Sequence, residues 1–305
     1  MVEQALYEHL QTQAVLSPFL ATYAGKMAIF SHEAPADTDT KWGTGSQYGR
    51  IIFDEDLKGD PERILGGILA VDILCTKGKQ FPEDIEPIIK TLIHGWFFSC
   101  GTFVVAAQWK NSAPFTEPTN EVVGCTVTFE LLAFPKRTTF EPDVVARINE
   151  WSGAFDNLHV INHDELPASA WQPTGDDSAI YWRCLPEKPA RWIPDTYQTI
   201  WRMVTVKGHI FSRDIATAEA VARKVIYRLY AEKRLFRDGE SPIMVNRNNE
   251  VDMGADPLRT GQLSIEATFG VVVSFNNDQT INQIVMEDKS KERRTLDGSK
   301  EPGIR

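Results

Sequence analysis

Residues 66–78 (GGILAVDILCTKG) carry a nearly continuous apolar run, Ile68, Leu69, Val71, Ile73 and Leu74, broken by Asp72. A run that apolar predicts a strand covered on both faces. Residues 82–98 (PEDIEPIIKTLIHGWFF) then set Ile85, Ile88, Ile89, Leu92, Ile93 and Trp96 on one helical stripe. Glu83 and Asp84 fall in its first turn, where the helix dipole favours negative charge. The same pair returns later: 200–211 (IWRMVTVKGHIF) as strand, and 216–236 as helix, with a stripe of Ala218, Val221, Ala222, Val225 and Leu229.

The flanks correspond as well. Ala34-Pro35-Ala36-Asp37, a polar loop and Arg50-Ile51-Ile52-Phe53 precede the first unit. Leu166-Pro167-Ala168-Ser169, a polar loop and Ala179-Ile180-Tyr181-Trp182 precede the second. Residues 124–134 (GCTVTFELLAF) are answered by 261–271 (GQLSIEATFGV). Recurrence in one order at a roughly constant offset points to an internal duplication.

The remaining pattern fills in each half. Residues 2–15 predict a short helix, 27–30 a strand, and 32–49 a long polar loop with a single tryptophan, Trp42. Residues 50–56 and 64–74 predict a hairpin across the turn signal Gly59-Asp60-Pro61. Residues 102–109 predict a strand, the proline-containing 111–120 a loop, and 121–134 a closing strand that alternates Val127, Phe129 and Leu131 with Thr126, Thr128 and Glu130. The aperiodic 135–142 (PKRTTFEP) marks a linker. Asp143 caps a helix over 144–155, 158–162 is a short strand, 166–177 a second long loop holding Trp171, and 186–195 a hairpin tip.

The expected fold class is therefore α+β: two homologous α/β-sandwich-like domains, each a mixed, mostly antiparallel sheet with flanking helices, plus an extended tail. The expected boundaries are 1–136, 137–275 and a charged C-terminal tail, 276–305.

Composition narrows the function. Of 305 residues, 42% are hydrophobic and 24% charged, ordinary for a soluble globular chain. No apolar run approaches the roughly 20 residues that span a bilayer, and the opening MVEQALYEHL has early acids and no apolar segment, so neither a membrane nor a secretory route is expected. Cys75, Cys100, Cys125 and Cys184 are scattered without a CxxC pair, as in reduced, buried thiols of a cytosolic protein. A net charge of −10 argues against gripping phosphates and is compatible with DNA that slides past.

Candidate chemistry is sparse. His159 and His163 are four apart, but in a strand-and-loop context, where solvated histidines are the simpler reading than metal ligands. Gly43, Gly45 and Gly49 precede a strand, whereas phosphate-binding glycines lie between strand and helix. No GxxxxGK[ST] or GxSxG occurs. Asp37, Asp39, Asp54, Glu55 and Asp56 could bind a hard cation or form a solvated acidic edge. Asp72, inside an apolar strand, needs a partner, and Arg63 or Arg50 could supply a structural ion pair. No cofactor, metal or catalytic set is expected. A metal-dependent hydrolase built on Asp72 and the acidic loop is the alternative.

One ordered set of motifs resembles a family. Pro35, Asp37, Asp39 and Trp42, a strand opening on Arg50, the GDPER turn at 59–63 and the strand from Gly67 to Cys75 are similar to tail-terminator, or tail-completion, proteins of tailed bacteriophages. The likeness is clearest over 1–134 and fades into a diverged copy over 141–273. It implies a non-enzymatic virion protein of the tail or neck, assembled in the host bacterial cytoplasm. Such proteins form a homo-oligomeric, hexameric ring that caps the tail tube, ends its growth and joins it to the head connector. The implied partners are further copies of the chain, the tail tube protein, neck or connector proteins, a sheath where one exists, and DNA passing through the lumen unbound. Two domains per chain depart from the family pattern, so three or six chains could close the ring. A different neck, connector or tube-associated protein shares this logic and stays open. Asp37, Asp39, Trp42, Arg50 and Trp171 are expected at subunit or partner interfaces. Lys289, Arg293 and Arg294 are expected where the tail clips onto a neighbour.

Overall fold

The computed structural model describes residues 2–43, 49–59, 65–100, 103–117, 121–134, 142–161, 171–235 and 242–273. The fold is α+β, with two curled, mixed sheets and, among the described residues, four α-helices. In the first half, α1 (Val2–Gln11) leads to a small hairpin, β1 (Thr22–Tyr23) and β2 (Lys26–Met27). Ala24 and Gly25 turn it with φ of 49° and 78°, a left-handed pair that suits a two-residue hairpin loop. Then follow β3 (Ile29–Ser31), β4 (Arg50–Gly59), β5 (Leu65–Thr76), α2 (Pro82–Ile93), β6 (Phe97–Cys100), β7 (Phe103–Glu117) and β8 (Val122–Ala133). The sheet runs β3-β4-β5-β8-β7-β6, and only β3–β4 is parallel.

The second half repeats this path. It comprises α3 (Val144–Ser152), β9 (Leu158–Ile161), β10 (Ser178–Cys184), β11 (Lys188–Pro189), β12 (Thr199–Phe211), α4 (Ile215–Glu232), β13 (Arg234–Leu235), β14 (Ile243–Val245), β15 (Glu250–Val251) and β16 (Leu263–Val272). Its main path is β13-β14-β16-β12-β10-β9, and here only β9–β10 is parallel. With β3, β4, β5, α2, β6, β7 and β8 set against β9, β10, β12, α4, β13, β14 and β16, neighbours and directions agree throughout. β11 and β15 are short additions beside β12 and β16.

Each sheet buries one face under its two helices. Ile85, Ile89 and Ile93 of α2 are fully buried against Val71, Ile73, Val127 and Phe129. Ala222, Val225 and Leu229 of α4 meet Val206, Ile265 and Phe269 in the same way. Each such Val, Ile, Leu or Phe side chain stabilises by roughly 1.5–3 kcal/mol. Asp143 and Asp214 cap α3 and α4, accepting from the Ala146 and Thr217 amides at 3.0 and 2.8 Å. The two opposite faces meet in a third cluster. Phe97, Val104, Ala106, Leu132 and Phe134 come from one half, and Ile161, Ala179, Tyr181, Phe211 and Leu258 from the other.

Four expectations change. β5 is buried on one face only: Leu69, Val71, Ile73 and Cys75 face the helices, while Ile68 is 53% exposed on the other side. The apolar run reflects alternation with apolar outer residues, not two covered faces. α2 ends at Ile93, because Gly95 takes φ 73° and turns the chain, so Trp96 reaches the core from beyond the helix. α3 likewise stops at Ser152, and Phe155 is buried from the turn that follows. Finally, Asn111 to Glu117 continue β7 instead of forming a loop, with Pro114 opposite Cys125. There β6 no longer flanks β7, so the proline lies on an edge that needs no donor.

Candidate functional site

The long loop after β3 folds onto its own half. Trp42 is half-buried, with its ring 5.1 Å from Tyr23 and 5.8 Å from Phe30, and its Nε1 donates to the Ala36 carbonyl at 3.0 Å. Arg50 stacks over the Trp42 ring at 5.7 Å and donates to Asp37 at 2.8 Å. Asp39 accepts from the Tyr23 hydroxyl at 2.9 Å and from the Lys41 amide at 3.0 Å. These bonds, the Lys41 amide first, hold its carboxyl below the usual carboxylate range. Asp37, Asp39, Trp42 and Arg50 are thus brought together, and each serves the others. What they present outward is the exposed Asp37 carboxylate.

Trp171 lies in the seam between halves. Its backbone exchanges hydrogen bonds of 2.8 and 2.9 Å with Phe97 of β6. Its ring stacks on His159 at 5.2 Å and lies 5.7 Å from the Phe97 ring. Trp171 thus binds the chain's own other half. Gln172 completes the junction. Its amide donates to the Thr91 and His94 carbonyls at 2.5 and 2.7 Å, capping the C-terminal end of α2 from the second half.

A charged knot closes the far side of the seam. Glu130 pairs with Lys110 at 2.7 Å and with Arg259, and Lys110 lies 3.8 Å from Asp256. Burial pushes the Glu130 carboxyl up, yet the hydrogen bonds and charges of Lys110 and Arg259 outweigh it and hold it below the usual range. Arg183 donates to His209 at 3.0 Å and to the Arg259 carbonyl at 3.1 Å, tying the same loop to the second sheet. The sequence reading missed this knot. Its signal was an acid in the apolar run of β8, the logic already applied to Asp72.

Asp72 accepts from the Thr126 hydroxyl across β5–β8 at 2.6 Å, and it sits half-buried on the sheet face away from the helices. Arg50 is committed to Asp37, and Arg63 lies outside the described residues, as do His163 and the tail with Lys289, Arg293 and Arg294. The acidic edge is internally paired: Asp54 with His32 at 2.6 Å, Asp56 with Lys58 at 2.9 Å. Glu55 has its carboxyl pushed up, by burial first and then by Glu3. Among the described residues no group of three or more His, Cys, Asp or Glu is placed to hold a metal, and no helix is long and apolar enough to cross a membrane.

The chain is thus an α+β protein of two like sheets whose polar residues are largely spent on holding loops and halves together. No family model matches it, and no curated protein matches it. Among solved structures it is similar to a chain from the virion of a native gene transfer agent (GTA) particle, with 12% identity and a TM-score of 0.33, over 43% of this chain and 93% of that chain.

Proposed function

We propose that this chain is a structural virion protein that caps a phage tail tube as a ring, stops its polymerisation and joins the tail to the head–neck connector. The observation that carries the reading is the repetition of one helix–sheet unit along the chain, in matching strand order and direction. Two such units, arising by duplication, give each chain two ring positions. Motif residues that carry the resemblance (Asp37, Asp39, Trp42 and Arg50) cluster at one loop of the first unit. The acidic body, with a net charge of −10, suits a lumen that lets DNA pass.

The test is tube growth. Tube protein polymerising alone gives tubes of open-ended length. Added at a ratio of one ring per tube, the chain is expected to cap the ends and arrest growth, seen as extra density at tube tips by negative-stain microscopy. Tubes that lengthen unchanged, with bare tips, would overturn the reading.

A further inference from the structure

The two tryptophans occupy equivalent places, and they differ in what sits on them. Phe30 of β3 and His159 of β9 each stand twelve residues before their tryptophan, and each belongs to the outer strand of a parallel pair. Trp42 meets Phe30 as Trp171 meets His159. Beyond Trp171 comes Phe97, on the outer edge of the neighbouring unit's β6. Beyond Trp42 comes Tyr23 of the chain's own β1, bridged antiparallel to it by Ala24 N–H to the Lys41 carbonyl and Gly43 N–H to the Thr22 carbonyl, both 2.9 Å. The β1–β2 hairpin has no counterpart among the described residues of the second half. It stands where a neighbouring unit's edge strand would stand.

The edge that would continue the series is β13, the counterpart of β6. Leu235 points into its helix-covered core as Phe98 does, so Arg234 takes the position of Phe97. Arg234 is exposed, next to exposed Lys233. The face it would meet carries Glu33 and Asp37, both exposed and acidic. A contact that joins unlike surfaces of like units repeats head to tail, and here an exposed arginine would meet exposed carboxylates.

We propose that the Trp42 face is a docking site for the β13 edge of a second copy of this chain, and that the β1–β2 hairpin holds it closed by imitating that edge. Release of the hairpin lets copies join by the contact that already joins the halves. This goes beyond the tail reading and does not depend on what a ring would cap.

The experiment is sedimentation of the full chain over a hundredfold concentration range. Tyr23→Ser removes the imitating ring and is expected to raise self-association at least tenfold over the native chain. Arg234→Glu in the same background is expected to abolish that gain, while Arg234→Glu alone changes nothing. Tyr23→Phe, which loses only the bond to Asp39, keeps the ring in place and serves if Tyr23→Ser does not fold. It is expected to give a smaller gain, also erased by Arg234→Glu. Folded variants that associate no more than the native chain, or that associate equally with Glu at 234, would overturn the proposal.

Discussion

The Trp42 loop and the Trp171 loop occupy corresponding places in the two halves and serve differently. Each places a tryptophan on the outer strand of a parallel pair. One is closed by the chain's own hairpin, the other by the neighbouring half. The comparison teaches that a loop's exposure is decided by what its unit sits beside. Equal sequence signals can therefore yield a local clasp in one half and an interdomain joint in the other.

The largest break should come at the joint. Phe97 is 1% exposed and touches Phe134, Trp171 and Phe211. Phe97→Ala is expected to cost about 3–5 kcal/mol and to split denaturant unfolding into two steps as the halves uncouple. Trp171→Ala should follow the same course with a loss of about 2 kcal/mol, since the ring is only half-buried. Trp42→Ala should cost about 1–2 kcal/mol, keep a single transition, leave the monomer folded and weaken assembly. If the two tryptophan variants gave the same unfolding profile, the distinction drawn between the loops would be lost.

Glu130→Gln removes the acid shared by Lys110 and Arg259 and is expected to cost about 2 kcal/mol. Because the folded carboxyl lies below its usual range, its contribution is present above the unfolded value and fades as pH falls through the folded one. The variant's stability should accordingly lose part of its acid dependence, read as midpoint against pH in the carboxylate range.

The smallest effect expected is at the histidines. Burial lowers the pKa of His9 and, with help from Lys90, that of His94. His9 Nε2 donates to the Leu92 carbonyl at 2.9 Å, and His94 Nδ1 accepts from the Trp109 amide at 3.2 Å. Stability is then full above the ordinary histidine value, about 6.5, and falls as pH drops toward the folded values. His9→Gln should flatten part of that decline, measured as melting temperature between about pH 8 and pH 5.

Much of the fold was legible because periodicity is local. The Ile85, Ile89 and Ile93 stripe, the Asp143 cap and the β4–β5 hairpin all appear where the residues place them. The repeat was legible for the same reason, through corresponding strands and helices. What escaped depended on neighbours distant in sequence. Pro114 read as a loop signal because nothing local says that β6 stops short and leaves β7 an edge. The seam contact of Trp171 was not legible, because Phe97, which pairs with it, lies 74 positions upstream. Lys110, Glu130 and Arg259 were invisible as a group, since their chemistry exists only once the halves close. Thr126 on the paired strand, which gives Asp72 a hydrogen bond, escaped for the same reason.

The measurement closest to the central claim is mass in solution, by light scattering coupled to size exclusion, on the purified chain with and without its tube protein. The account predicts a ring, or a monomer that assembles only in the presence of tube ends. A monomer that ignores tube protein at every concentration would contradict it.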